Sequence, residues 1–408
     1  MGDVVKRLLF LIIITIFCTA TAAFASTPSV AAEGALLIES NTGRILFEKN
    51  KDVKFYPAST TKIMTALLVL EHCQLDDKVI VGENPPYVKG SKIYIFEGEE
   101  FTVDQLLYAL LIESANDVAS AFAEHIAGSD EEFAKLMNKK AKELGCKNTN
   151  FTNPHGLYNP DHYTSAYDLY LITKEAMKYE TYRKIVTTRS YTLEPTNKQP
   201  ERRYFHSNNR LMYNNRFHVE GANGAKTGYT TESGHSLVAT AYREYTDLMV
   251  VLLCDKKPGL WEDAYALMNY GFENFETVMG VAAGNLITSL KIANTNLELP
   301  LKASKDLYFT KEVKGDCDII SSLQIINGFK GYILKGQTIG YIEYSYNGKN
   351  LGSVDVTAAH DLPITSLYNY KSYNNGIKNQ YNSYLLTGAA FVIAGFFAGA
   401  ELIKRRRR

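Results

Sequence analysis

Three short groups of residues in this chain could supply a nucleophile, a base and an anion-binding cation. In "FYPASTTKIMTALL" (55–68), Ser59 stands three residues before Lys62. On a helix such a pair shares one face, and a neutral amine there could take the hydroxyl proton. The dipole at a helix start would favour negative charge developing on Ser59. In "IESAND", Ser114 and Asn116 flank Ala115. In "GAKTGYT", Lys226 and Thr227 precede Gly228 and Tyr229. Acyl transfer to serine needs these parts: a nucleophile, a base, and donors for the oxyanion. Each group alone is weak, because Ser-x-x-Lys arises by chance and serine is a common helix N-cap.

The elements that must position them follow from the pattern. "GALLIESNTGRILFEKN" (34–50) predicts a hairpin turning at Asn41-Thr42-Gly43. "STTKIMTALLVLEHC" (59–73) has helical apolar spacing, placing Ser59 at the helix start. Residues 101–128 read as two helical runs broken near Glu113 to Asn116, so a loop would present Ser114 and Asn116 inward. Ser129 and Asp130 lead into an amphipathic helix ending at Gly145, and Ser165 with Asp168 forms a capping-box pattern. "HSLVATAY" and "DLMVVLLC" read as strands, and "WEDAYALMNYGFENF" returns to helix. After about residue 283 the pattern is all-β, with Asn347-Gly348 as a hairpin signal. A Tyr/Asn/Ser-rich linker comes after it.

Both ends address a membrane. Residues 1–25 read as a signal peptide: Lys6 and Arg7, then the apolar Leu8 to Phe17, then the cleavage pattern Ala23-Phe24-Ala25. An uncleaved anchor is the other reading, and Cys18 lacks a lipid-attachment context. Residues 384–403 are apolar and about the ~20 residues a spanning helix needs, with Lys404 to Arg408 as a basic cytoplasmic tail. An amphipathic surface helix is the alternative there. The catalytic body is then expected outside the cytoplasm. Lys+Arg and Asp+Glu are equal at 44 each, which gives nucleic acid no support as a partner. Cys73, Cys146, Cys254 and Cys317 match no zinc spacing and no disulfide framework, although one pair could form. His155 and His162 lie in a Pro/Gly turn region and read as loop-ordering residues, not metal ligands. Neither Gly-x-Ser-x-Gly nor a phosphate loop is present.

The order Ser-x-x-Lys, Ser-x-Asn, Lys-Thr-Gly is similar to the motif set of β-lactamases and penicillin-binding proteins. With "NPHGL" (153–157), "HYTSAYDL" (162–169) and "GANGAKTGYT" (221–230), the chain resembles the low-molecular-mass penicillin-binding D-alanyl-D-alanine carboxypeptidases, serine peptidase family S11, over residues ~30 to 280. The resemblance implies a mixed α/β penicillin-binding/β-lactamase-like transpeptidase fold, with an antiparallel sheet flanked by helices. Its expected parts are a catalytic domain over 26–283, a small β domain over 284–362, a linker over 363–383 and the anchor. It implies attack by Ser59 on the penultimate D-alanine carbonyl of peptidoglycan stems, Lys62 as base and Ser114 as proton relay. Asn116 would orient Lys62 and a substrate amide. Lys226 and Thr227 would hold the terminal carboxylate, Gly228 would let substrate lie along the strand, and the amides of Ser59 and Tyr229 would form the oxyanion hole. β-Lactams would acylate the same serine, and no cofactor is implied. A basic residue is also expected near "CDKKPGLWED"; Lys256 and Lys257 are candidates, with Trp261 at the first place to look. A β-lactamase is the second enzymatic reading, but no Glu-x-x-Leu-Asn is present. A catalytically silent wall-binding scaffold is the third.

Overall fold

A five-stranded antiparallel sheet with apolar side chains on both faces organises about the first two-thirds of the chain. The computed structural model describes residues 27–255, 259–291, 297–313, 319–326, 331–346 and 348–364. The described chain divides into two units. One comprises the residues up to Thr277 with Thr310–Val313; the other comprises Val278–Phe309 with the residues from Lys314 onward. The first boundary falls a few residues before the 283/284 junction read from the sequence.

In the first unit, β1 (Gly34–Glu39) and β2 (Arg44–Lys49) form the expected hairpin. Glu39 closes its turn, accepting hydrogen bonds from the Thr42 amide (2.7 Å) and hydroxyl (2.6 Å). A 3-10 turn (Ala58–Thr61) runs into α1 (Lys62–His72). Then come the small pair β3 (Lys78–Ile80) and β4 (Glu100–Thr102), and α2 (Val103–Tyr108) with a Thr102/Gln105 capping box. Next are α3 (Asn116–Ala127), α4 (Asp130–Glu143), α5 (Ala166–Ala176) and α6 (Glu180–Val186). Ser129 and Ser165 cap α4 and α5, as their sequence context predicts. A second small pair, β5 (Ser190–Leu193) and β6 (Arg203–His206), precedes β7 (Ala222–Thr230), β8 (Gly234–Arg243), β9 (Thr246–Asp255) and α7 (Gly259–Asn274).

The sheet order is β2-β1-β9-β8-β7. Alternate residues go to opposite faces of a strand. Leu36, Ile38, Val238, Met249 and Val251 accordingly join one core with α1 to α6, while Leu37, Leu237, Ala239, Leu248 and Val250 join another with Leu260, Ala264 and Leu267 of α7. Burial on both faces is why "DLMVVLLC" is apolar throughout rather than alternating. Helix α1 runs through the first core with Ile63, Met64, Leu67 and Leu68 buried. Each such side chain contributes about 1.5–3 kcal/mol, which holds the buried Lys62 in place.

Contrary to its sequence context, Ser59 does not cap the helix. The helix begins at Lys62, Ser59 lies in the preceding 3-10 turn, and no side chain caps α1. Ala58 has φ +49, which takes the chain off a helical path just before the serine. The two small strand pairs, three or four residues per strand, carried no legible signal.

The second unit is all-β, as its alternating pattern predicts. Its antiparallel sheet has the order Leu286–Lys291, Glu298–Ala303, Lys349–Ala358, Thr338–Tyr346, Ile319–Ile325. Leu299, Leu301, Ile339, Ile342, Val354 and Val356 fill its core. Tyr346 pairs with Lys349 across the expected hairpin, where Gly348 has φ +74; Asn347 lies outside the described residues. The signal segment, the anchor, the basic tail and the linker from residue 365 on also lie outside them; Pro363 and Ile364, read as the start of the linker, instead end a strand, Leu362–Ile364. Among the described residues no helix is long and apolar enough to cross a membrane.

Candidate active site

The Ser59 turn is locked from within. Thr60 Oγ1 donates to the Pro57 carbonyl at 2.7 Å, and Thr61 Oγ1 lies 2.9 Å from His162 Nε2. The Thr152 amide donates to His162 Nδ1 at 3.0 Å, so Nε2 carries the ring proton and donates to Thr61. Burial holds His162 neutral, its pKa pushed down to about 3. Two glycines let other segments close on this turn. A Cβ at Gly156 (φ +87) would lie 1.9 Å from the Ala58 carbonyl oxygen, and one at Gly228 would lie 2.8 Å from the Ser59 amide nitrogen. Gly156→Ala is therefore expected to cost on the order of 1–3 kcal/mol in stability, from the left-handed backbone alone. It should also slow acylation of Ser59, because the clash falls on Ala58. Thermal unfolding and a penicillin-labelling time course check this; wild-type values for both would refute it.

Lys62 is fully buried, and its Nζ meets three oxygens. It lies 2.6 Å from Asn116 Oδ1, 2.7 Å from the His155 carbonyl and 3.0 Å from Ser59 Oγ. Burial, and then the nearby charge of Lys226, push its pKa well below the ordinary lysine value, with Asp117 opposing. A neutral amine has two N–H donors and one lone pair. Amide and backbone carbonyls can only accept, so they consume both donors. The lone pair is left facing Ser59 Oγ.

Ser114 and Asn116 come from the break between α2 and α3. A π-turn (Ala109–Glu113) ends at Ser114 with φ +62, and α3 starts two residues later. Left-handed geometry is uncommon for non-glycine residues, and it recurs at Ala58 beside Ser59. Asn116 Nδ2 donates to the Lys89 carbonyl at 2.7 Å, which leaves Oδ1 directed at Lys62. Buried Asp117 accepts from the amides of Ile93 and Ile95, pinning the segment that carries Lys89. From β7, Lys226 Nζ donates to Ser114 Oγ and to the Thr227 carbonyl, both at 2.9 Å. Burial lowers the Lys226 pKa to about 7, with Glu113 opposing.

The structure thus brings Ser59, Lys62 and Asn116 into one set of contacts and Ser114 and Lys226 into another, near enough for the Lys226 charge to act on Lys62, with Gly228 against the Ser59 amide. Tyr229 comes next after Gly228, 59% exposed and stacked on His235 at 4.5 Å. Gly228, lacking a side chain, lets β7 approach Ser59. His155 orders the 153–157 loop, its Nδ1 accepting from the Leu157 amide. Trp261 packs partly buried against the core beneath α7, while Lys256 and Lys257 lie outside the described residues. Cys317 also lies outside them; burial pushes the Cys146 thiol up to about 12. Sequence reasoning missed Asp117 and the carbonyls of Lys89 and His155. Only the position of Asp117, right after Asn116, hinted at a supporting role.

The D-alanyl-D-alanine carboxypeptidase family model matches residues 21–257. The chain belongs to the D-alanyl-D-alanine carboxypeptidase family. The C-terminal domain model of penicillin-binding protein 5 matches residues 275–363 of this carboxypeptidase family member. It is 35% identical over 340 residues to D-alanyl-D-alanine carboxypeptidase DacF of Bacillus subtilis, covering 81% of this chain and 86% of that one. It is 32% identical over 362 residues to DacC of Escherichia coli, covering 82% and 86%. Penicillin binding protein 5 from Haemophilus influenzae superimposes with a TM-score of 0.71 at 29% identity, covering 83% of this chain and 99% of that one.

Proposed function

We propose that this carboxypeptidase removes the terminal D-alanine from peptidoglycan pentapeptide stems through an acyl-enzyme on Ser59. The observation that carries the reading is the Lys62 amine, whose two carbonyl acceptors leave its lone pair for the Ser59 hydroxyl 3.0 Å away. Ser59 Oγ bonds to the carbonyl carbon of the penultimate D-alanine, and its proton passes to Lys62 Nζ. The amides of Ser59 and Tyr229 receive the oxyanion. The C–N bond then breaks, and the proton reaches the leaving amine by way of Ser114, so free D-alanine departs. Charged Lys226, with Thr227, holds the terminal carboxylate of the substrate, which selects the last residue over internal bonds. Asn116 keeps Lys62 aimed and takes a substrate amide. Water, deprotonated by Lys62, hydrolyses the ester and restores Ser59. β-Lactams present a carboxylate and a reactive carbonyl to the same groups and remain as the adduct.

Liquid chromatography of D-alanine released from diacetyl-Lys-D-Ala-D-Ala tests the reading. Release, together with a long-lived penicillin adduct on Ser59, is the expected result. Rapid penicillin hydrolysis without D-alanine release would put a β-lactamase in its place. Neither release nor adduct would mean a silent scaffold.

We further propose that residues 384–403 anchor the protein, with the catalytic unit on the extracytoplasmic side and Lys404 to Arg408 in the cytoplasm. Support comes from the length and apolarity of that segment, charged only at Glu401 near its end, beside a basic tail. The full chain should sediment with membranes and stay there in high salt, while a chain ending at 383 should be released. Retention of the truncated chain would remove the proposal.

A further inference from the structure

Two points on β7 give the path of the substrate beyond the scissile bond. The terminal carboxylate belongs at Lys226 and Thr227, and the scissile carbonyl at the Tyr229 amide, so the stem runs along the strand towards its C-terminal end. β7 is an edge strand of the five-stranded sheet, and such an edge accepts an extended chain. A residue advances such a chain by about 3.3 Å, so the residue before the penultimate D-alanine comes level with the turn between β7 and β8. That turn is fixed from within. The Thr230 amide donates to Ser233 Oγ at 3.1 Å, and the Ser233 amide donates to Thr230 Oγ1 at 3.0 Å. It carries Glu232, which is exposed.

Two tyrosines stand beside the same path. Gly156 and Gly228 abut the turn at Pro57 to Ser59 from two different segments. Tyr158 follows Gly156 by two residues and Tyr229 follows Gly228 directly; they are 46% and 59% exposed. Neither ring stands alone. Tyr158 packs edge-on against Tyr56 with centroids 4.9 Å apart, and Tyr229 stacks on His235 at 4.5 Å. The Tyr158 hydroxyl is held above the ordinary tyrosine pKa first by its hydrogen bond with Tyr56 and last by the charge of Glu232, so that carboxylate acts at the ring. A carboxylate beside aromatic rings attracts an alkylammonium, and the catalytic steps use none of these side chains.

We propose that Glu232 and Tyr158, with Tyr229 flanking the aliphatic carbons, select stems whose third residue ends in a side-chain ammonium, an inference that rests on the carboxypeptidase reading above. The stem is then read by opposite charges at its two ends, Lys226 for the terminal carboxylate and Glu232 for the ammonium.

D-Alanine release from Nα-acetyl-Lys-D-Ala-D-Ala, whose ε-ammonium is free, compared with release from the diacetyl form, tests this. The free ammonium is expected to raise kcat/KM about three- to tenfold, the worth of one exposed ion pair with an aromatic neighbour. The gain should lie in KM, because the contact is the same in the ground and transition states. High salt should shrink it. Glu232→Gln should bring the ratio of the two substrates close to one. Tyr158→Leu should reduce the ratio, and Tyr158→Phe, which keeps the ring, should retain it. Thermal unfolding and penicillin labelling of Ser59 show that each variant is folded with an intact site. A ratio near one in the native chain, or a preference that survives Glu232→Gln, would overturn the inference and leave the carboxypeptidase standing. Release from neither substrate would remove the carboxypeptidase reading, and this inference with it.

Discussion

Ser59→Ala is expected to lower D-alanine release from a pentapeptide about 10⁴-fold or more, the scale seen when a serine nucleophile is removed. It should also abolish the penicillin adduct. The fold should survive. Ser59 is only partly buried, and its hydroxyl meets Lys62, which keeps Asn116 Oδ1 and the His155 carbonyl. Losing one such contact changes stability by about 0.5–1.5 kcal/mol. Thermal unfolding close to wild type, with no release and no adduct, is therefore the expected combination. Undiminished release from the alanine variant would remove Ser59 as nucleophile.

Lys62→Arg should be nearly as damaging, for an electrostatic reason. A guanidinium stays protonated at any working pH and so offers Ser59 no lone pair. Acylation should fall by about 10²–10⁴-fold, the usual worth of a positioned base. The native chain should give a bell-shaped pH profile of acylation. On the acid side the rate falls as Lys62 gains a proton. On the alkaline side, binding weakens as Lys226, lowered to about 7, loses the charge that holds the carboxylate. The two limbs are coupled, because the Lys226 charge helps depress Lys62. Removing it in Lys226→Ala should eliminate the alkaline limb. It should also let the Lys62 pKa rise, moving the acid limb to higher pH. A shift of that limb to lower pH would contradict the pairing. Stopped-flow acylation with a chromogenic β-lactam, from pH 5 to 10, measures both limbs.

The side chains of the site were legible because few residue types supply a nucleophile, a base and a carboxylate clamp, and here they stood in a telling order. The hairpin at Asn41 to Gly43, the caps at Ser129 and Ser165, and the all-β second unit were legible for a similar reason: turn and cap chemistry is local. The start of α1 was not. Ser59 has the composition of an N-cap, and only the left-handed Ala58 and the approach of Gly156 and Gly228 show why the chain turns tightly there instead. The carbonyls of His155 and Lys89 were invisible in principle. Every residue carries a carbonyl, so which one meets Lys62 or Asn116 is decided by tertiary packing alone.

The aim of Lys62 depends on a relay of supports that begins well outside the substrate's reach. Asp117 secures the strand-like stretch near Ile93, that stretch presents the Lys89 carbonyl, and the carbonyl fixes which way the Asn116 amide points. The rate at which a β-lactam acylates Ser59 is thereby expected to depend on residues outside the three motifs. A substitution at Asp117, or at Gly90, where a Cβ would press on Asn116 Nδ2 at 2.5 Å, would alter how readily the serine is inactivated while every drug-contacting group kept its identity. A comparison of sequences that inspects only the three motifs would overlook such changes.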